Sequence, residues 1–176
     1  MKALIICPDH RPGAELVRQV RPLALLPVLG RTLIDIWLER LADLGVKEVL
    51  VLAADRPKEV RDTLAQTAHR GLVIQVLPVQ SEPSIEMARA RFIAGREEAW
   101  HGEVVTLDTL PGQPEARLWQ GGAVFHQALL ARLESGTMGA SLTMRETAPG
   151  VHVSTRARVA GSANIEGPAW IGPGVI

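Results

Sequence analysis

The sequence has a single cysteine, Cys7, and no tyrosine. One cysteine excludes an internal disulfide and fits a reducing compartment, so the chain reads as cytoplasmic. With four Trp and two Phe as its only other aromatics, it lacks the residues that build stacking platforms for bases or sugars. It also lacks an excess of charge of either sign: 19 Lys and Arg face 19 Asp and Glu. That balance argues against nucleic acid or an anionic membrane surface as a partner. The N-terminal apolar run in "MKALIICPDH" is too short for a signal peptide and far too short to span a bilayer. What the sequence does have is apolar residues, 47% of 176, enough for the core of one ordinary domain and a second small piece.

Strand-like and helix-like segments alternate along the first 146 residues. "KALIIC" (2–7) reads as a buried strand that ends in the loop "PDHRPG". "TLIDIWLERLADLG" (32–45) is the clearest helix. Leu33, Ile34, Trp37, Leu38 and Leu41 share one face, Thr32 can cap the start, and Gly45 can end it. "KEVLVLAA" (47–54) is a continuous apolar run, as expected of a parallel strand covered on both faces. Helices follow at 57–71, 84–100 and 127–135, and strands at 72–79, 103–111 and 139–146. This order predicts an α/β fold with a mostly parallel, Rossmann-like sheet and helices on both faces.

From Val153 the texture changes to units of six: "VSTRAR", "VAGSAN", "IEGPAW" and "IGPGVI". Val153, Val159, Ile165 and Ile171 open the units, and Ala157, Ala163, Ala169 and Val175 hold the fifth place. An aliphatic opener with a small fifth residue is the hexapeptide repeat of a left-handed parallel β-helix, in which each unit lays down one short side of a three-sided coil. The expected division is an α/β domain at 1–147 and the start of a β-helix at 148–176. The last unit stops at Ile176 without a cap, so the coil is expected to continue in a longer chain or to be covered by a partner.

The stretch "RPLALLPVLGRTLIDIWLERLADLGVKEVLVLA" (21–53) resembles the sugar-1-phosphate nucleotidyltransferases, also called NDP-sugar pyrophosphorylases. Arg21, Pro22, Leu25, Leu26, Pro27, Val28, Gly30, Leu33 and Ile34 match that family's Arg-Pro-Lys-x-Leu-Leu-Pro-Val-x-Gly-x-Pro-Leu-Ile pattern. "VVTLDTL" (104–110) is similar to its Asn-Gly-Asp-x-Leu strand end, and the resemblance implies that Asp108 holds a catalytic Mg²⁺. Hexapeptide repeats after an α/β domain agree with the same family. The departures are as specific as the matches. The family's Gly-x-Gly-Thr-Arg loop falls on residues 9–13, so its glycines become Asp9 and Arg11, its Thr becomes Pro12 and its Arg becomes Gly13. Its Lys falls on Leu23. The sugar-binding half of the catalytic domain has no counterpart, because only "TAPGVH" separates the strand at 139–146 from the repeats.

The nucleotide-binding candidates are therefore Asp9, His10, Arg11 and Gly13, and the metal candidate is Asp108. A carboxylate at Asp9 repels phosphate, and Pro12 lacks an N–H donor. His10 and Arg11 offer replacement donors for an anion. Cys7 is expected to be a core thiol, and Trp170 to point outward from the coil onto the α/β domain or another chain. His69, His101 and His126 show no metal-ligand spacing. The expectation is a catalytically impaired, nucleotidyltransferase-like protein of nucleotide-sugar metabolism, acting as a regulatory or assembly subunit. A nucleotide or nucleotide-sugar is its expected ligand, and the β-helix makes it a homo-oligomer. The alternatives are an active Mg²⁺-dependent NTP:sugar-1-phosphate nucleotidyltransferase, or an acyltransferase with its site in coils beyond Ile176.

Overall fold

The computed structural model describes residues 1–67, 71–94, 100–115, 117–134 and 144–176. The chain starts with strand β1 (Lys2–Ile6), then the short helix α1 (Glu15–Val20) and a 3₁₀ turn (Leu23–Leu25). A hairpin of β2 (Pro27–Val28) and β3 (Arg31–Thr32) leads into helix α2 (Leu33–Asp43). Next come β4 (Glu48–Ala53), α3 (Pro57–Ala65), β5 (Val73–Pro78), and α4 (Ile85–Ala88), which widens into a π-helical turn (Arg89–Ile93). After β6 (Trp100–Thr106), a 3₁₀ turn (Leu118–Gln120) precedes α5 (Gly122–Glu134). The end of the chain holds β7 (Met144–Ala148), β8 (Val151–Ser154) and β9 (Ala169–Ile171). The sequence-predicted ends of the helices at 57–71 and 84–100 reach residues 68–70 and 95–99, outside the described ones.

Four strands form a parallel sheet in the order β5-β4-β1-β6. The alternation along β1 divides the core. Ala3, Ile5 and Cys7 pack with Leu33, Ile34, Leu38 and Leu41 of α2, Val60 and Leu64 of α3, and Ala128 of α5. Leu4 and Ile6 face the opposite side and meet Leu52, Ala88 and Ile93. Helical segments therefore cover both faces, as a parallel sheet requires. The chain runs from β1 to β4 and β5 on one side, then crosses to β6 on the other. The gap between the loops after β1 and β6 is the topological switch point, where open α/β sheets bind ligands.

Helix α2 owes its start to local chemistry. The Thr32 hydroxyl accepts from the Asp35 N–H, and the Asp35 carboxylate accepts from the Thr32 N–H, which makes a capping box worth about 1 kcal/mol. Gly45, just past the last turn, takes φ +83 and ends the helix. Ile36 is buried along with four of the five predicted core residues, while Trp37 is half-buried. The Trp37 indole N–H instead donates to the Thr109 carbonyl at 2.8 Å, joining α2 to the loop after β6.

The strand predicted at 139–146 does not extend the parallel sheet in its described part. β7 pairs antiparallel with β8, and β8 pairs in parallel with β9. The expected boundary at 147/148 therefore falls inside a strand of this second sheet. In the β8–β9 pair, Val153 lies opposite Ile171, an offset of eighteen residues or three units of six. Turns close six residues apart, with Ala157 N–H on the Ser154 carbonyl and Ala163 N–H on the Ala160 carbonyl, both at 2.9 Å. The openers Val153, Val159 and Ile165 line one cavity of about 700 Å³.

Trp170 joins this segment to the α/β domain. Leu29 and Gly30 turn the β2–β3 hairpin with φ of 49 and 79, both left-handed as a two-residue type I′ turn demands. A Cβ added at Gly30 would lie 2.9 Å from Trp170 Cζ2, so the indole rests directly on the turn. Gly30→Ala meets both the left-handed backbone and the ring. It is expected to lower stability by about 1–3 kcal/mol in urea unfolding and to shift the tryptophan emission.

Candidate functional site

Four carboxylates gather at the carboxyl edge of the parallel sheet. Asp9 follows β1, Asp55 follows β4, Glu82 follows β5 and Asp108 follows β6. Three arginines answer them: Arg11 and Arg18 from the stretch after β1, and Arg56 at the start of α3. Each carboxylate is carried past a strand end by the shared direction of the four strands, which is why residues far apart in sequence meet here.

Arg11 lies across the switch point. Its Nε donates to Asp108 Oδ1 at 2.9 Å and its Nη2 to Asp108 Oδ2 at 3.0 Å. Nη2 also donates to Glu82 Oε1 at 2.5 Å, and Nη1 donates to Glu82 Oε2 and to the His10 carbonyl, both at 2.7 Å. A guanidinium has five N–H donors, and all five are used. The three side chains keep 20%, 20% and 16% exposure for Arg11, Glu82 and Asp108, so these bidentate pairs are well shielded from water and stronger than surface pairs. The Arg11 pKa is pushed further above its ordinary range, first by the hydrogen bonds it donates to Glu82 and, against the opposing effect of burial, by Asp108.

A second chain of charges runs beside the first. Arg18 donates to Asp9 at 2.9 Å and lies 3.5 Å from Asp55, which also pairs with Arg56 at 3.2 Å. The Asp9 backbone N–H donates to Glu82 Oε2 at 3.0 Å and links the two groups. Arg56 holds φ 43 and reaches back to the Arg18 carbonyl. Four carboxylates against three guanidiniums leave the edge with one net negative charge.

The sequence-predicted residues take different parts in this arrangement. Arg11 and Asp108 do meet, but as ion-pair partners. The Arg11 guanidinium has no N–H left for a phosphate. The Asp9 carboxylate is held by Arg18, and the His10 side chain is exposed. Gly13, with φ +83, borders a pocket of about 160 Å³ whose wall is apolar, with Ala14, Val17, Leu26, Trp119 and Phe125. Mg²⁺ does not fit Asp108 as it stands, since both carboxylate oxygens face the Arg11 guanidinium, whose positive charge would repel the ion. Among the described residues, no group of three or more His, Cys, Asp or Glu is arranged to hold a metal ion. Sequence reasoning missed Glu82, and with it Arg18, Asp55 and Arg56 of the same cluster; Glu82 is the one that holds Arg11. It lies in "SEPS", where only the fold reveals its partner.

Cys7 is buried beneath the site. Burial, and next the charge of Glu82, push its thiol up from 9.0 to about 12. The folded state thus keeps its proton after the unfolded chain has lost it. That contribution to stability is complete below pH 9 and disappears as pH rises toward 12. Unfolding free energy should fall with pH over that window more steeply in the wild type than in Cys7→Ala, by up to about 1.4 kcal/mol per pH unit. Glu82→Ala strands two donors of Arg11 and should cost about 2–3 kcal/mol in the same assay.

Among the described residues, no helix is long and apolar enough to cross a membrane. No protein-family model and no curated protein matches the chain.

Proposed function

We propose that this chain is a non-catalytic, nucleotidyltransferase-like assembly subunit of nucleotide-sugar metabolism, whose six-residue repeats form a left-handed β-helix coil through which copies associate. The observation that carries the non-catalytic half is the saturation of Arg11 by Glu82, Asp108 and the His10 carbonyl. Binding a nucleoside triphosphate at this edge would add several negative charges to a group of side chains that is already net negative. The Arg11 guanidinium would have to abandon two carboxylates to meet it. Phosphoryl and nucleotidyl transfer depend on preorganised positive groups, and Arg11 is already committed to the protein's own carboxylates.

The assembly half rests on the repeats. The eighteen-residue offset between Val153 and Ile171 equals one turn of a three-sided coil. The Arg158 N–H bonds to the Val175 carbonyl at 2.9 Å, a link of the same kind on a second side. Val159 keeps 39% exposure and Val175 46%, apolar surface of the sort that stacked coils bury between neighbours.

Calorimetry with a panel of nucleoside triphosphates and NDP-sugars, with and without Mg²⁺, tests the first half. No binding heat is expected for any triphosphate. Mg²⁺-dependent triphosphate binding would overturn the reading and favour an active nucleotidyltransferase. Light scattering tests the second half: a multiple of the 19.0 kDa chain mass is expected, and a monomer at the highest soluble concentration would refute assembly.

A further inference from the structure

Helix α1 has no packed face. None of its six residues is buried, and an isolated helix that short does not hold in water. The chain secures it from one side only, through the buried Ala14 just before it and through Arg18 on Asp9 and Asp55. Leu16 and Val20 share another face, as an i, i+4 pair does, and they are 79% and 74% exposed. Val17, beside them, borders the apolar pocket of about 160 Å³ that Ala14, Trp119 and Phe125 also line. A cavity of about this volume holds one benzene-sized group, so the pocket has room for one aliphatic side chain and none for a nucleotide. The charges at the two ends of α1 are also unpaired. Glu15 opens the helix and Arg21 follows its last residue, both are exposed, and among the described residues neither side chain has an ion-pair partner.

We propose that α1 is a contact face for a second copy of this chain, packed antiparallel to its counterpart about a two-fold axis near Arg18. A two-fold contact must be self-complementary: where residue i meets residue j, j also meets i. The register that sets Glu15 against the copy's Arg21 also sets Leu16 against the copy's Val20. One alignment therefore gives charge complementarity at both ends of the helix and apolar contact between them, and each pair occurs twice. The copy's Val20 then lies beside Val17 at the mouth of the pocket and supplies the aliphatic side chain that the volume accepts. Arg18, near the axis, does not repel its own copy, because its charge is turned to Asp9 and Asp55. A chain with 19 positive and 19 negative side chains also meets its copy without overall repulsion. The proposal goes beyond the assembly reading, which rests on the six-residue repeats, and it uses no residue of those repeats.

The test is sedimentation equilibrium of the full chain at low ionic strength, where charge pairs are least screened. Glu15→Arg sets like charges against each other at both ends of the contact and should weaken association at least about tenfold. Arg21→Glu should do the same. Glu15→Arg/Arg21→Glu exchanges the charges and should bring association back to within about threefold of the wild type. Leu16→Asp should abolish the contact. All three positions are exposed, so the variants keep the fold, and circular dichroism checks that they do. The proposal is overturned if either single charge variant associates as tightly as the wild type, or if the double variant does not recover. Association that survives Leu16→Asp unchanged also overturns it and leaves the coil as the assembly surface. Association lost entirely in folded Leu16→Asp supports the α1 contact and removes the coil from assembly. A partial fall in mass supports both contacts. A wild type that stays monomeric at every concentration overturns both and leaves the α1 face to a different protein.

Discussion

One guanidinium holds the carboxyl edge of this protein together. It ties together three of the four loops that emerge there, and two of these carry a carboxylate toward the same point. Without Arg11 the loops after β5 and β6 would repel, and the loop after β1 would lack an anchor. With it, all five donors and four carboxylate oxygens are satisfied in one layer. The Asp9 backbone joins the layer through Glu82, and the Asp9 side chain passes the constraint on to Arg18, Asp55 and Arg56. The conformation of the first loop therefore follows from electrostatic closure rather than from glycine-lined space kept for a ligand.

This arrangement turns an apparent loss of residues into a substitution. By resemblance, Arg11 falls on a glycine of a phosphate-binding loop, and Asp9 on another. Read singly, each is a defect: a side chain where backbone should approach phosphate, and a negative charge where an anion should lie. In the fold the two belong to one network with Glu82 and Asp108. The same network raises the Cys7 thiol pKa, because the Glu82 charge adds to the effect of burial.

What could be read from the sequence was what depends on near neighbours. The cap of α2 lies within four residues, and Thr32 announced it; the reciprocal bond to Asp35 appears only in the fold. The continuous apolar run of β4 announced a strand covered on both faces, and the period of six announced repeated turns at Ala157 and Ala163. The sequence misled where pairing is decided at a distance. The apolar stretch at 139–146 resembled another strand of the parallel sheet, yet its described end pairs with β8 across the Pro149–Gly150 turn. The Arg11–Glu82 contact spans 71 residues and the Arg11–Asp108 contact 97. No periodicity or spacing rule reports contacts of that kind. Asp108 was singled out for its position at a strand end, which was right, but its partner could not be known before the sheet order was.

The sheet order also has a consequence for how the chain acquires its structure. β1 is made before the strands it pairs with, and it is an inner strand, with β4 on one side and β6 on the other. Leu4 is paired with Leu50 and with Val104. One flank of β1 can form once β4 has been made, while the other must wait until β6 has been synthesised. Contacts so distant in sequence form slowly, because the loop they close is long. The β8–β9 pairing, by contrast, closes a loop of only eighteen residues. The two ends of the protein thus belong to different kinetic regimes, a fast local one and a slow distant one. The last strand to join the parallel sheet is the one that brings Asp108 to Arg11.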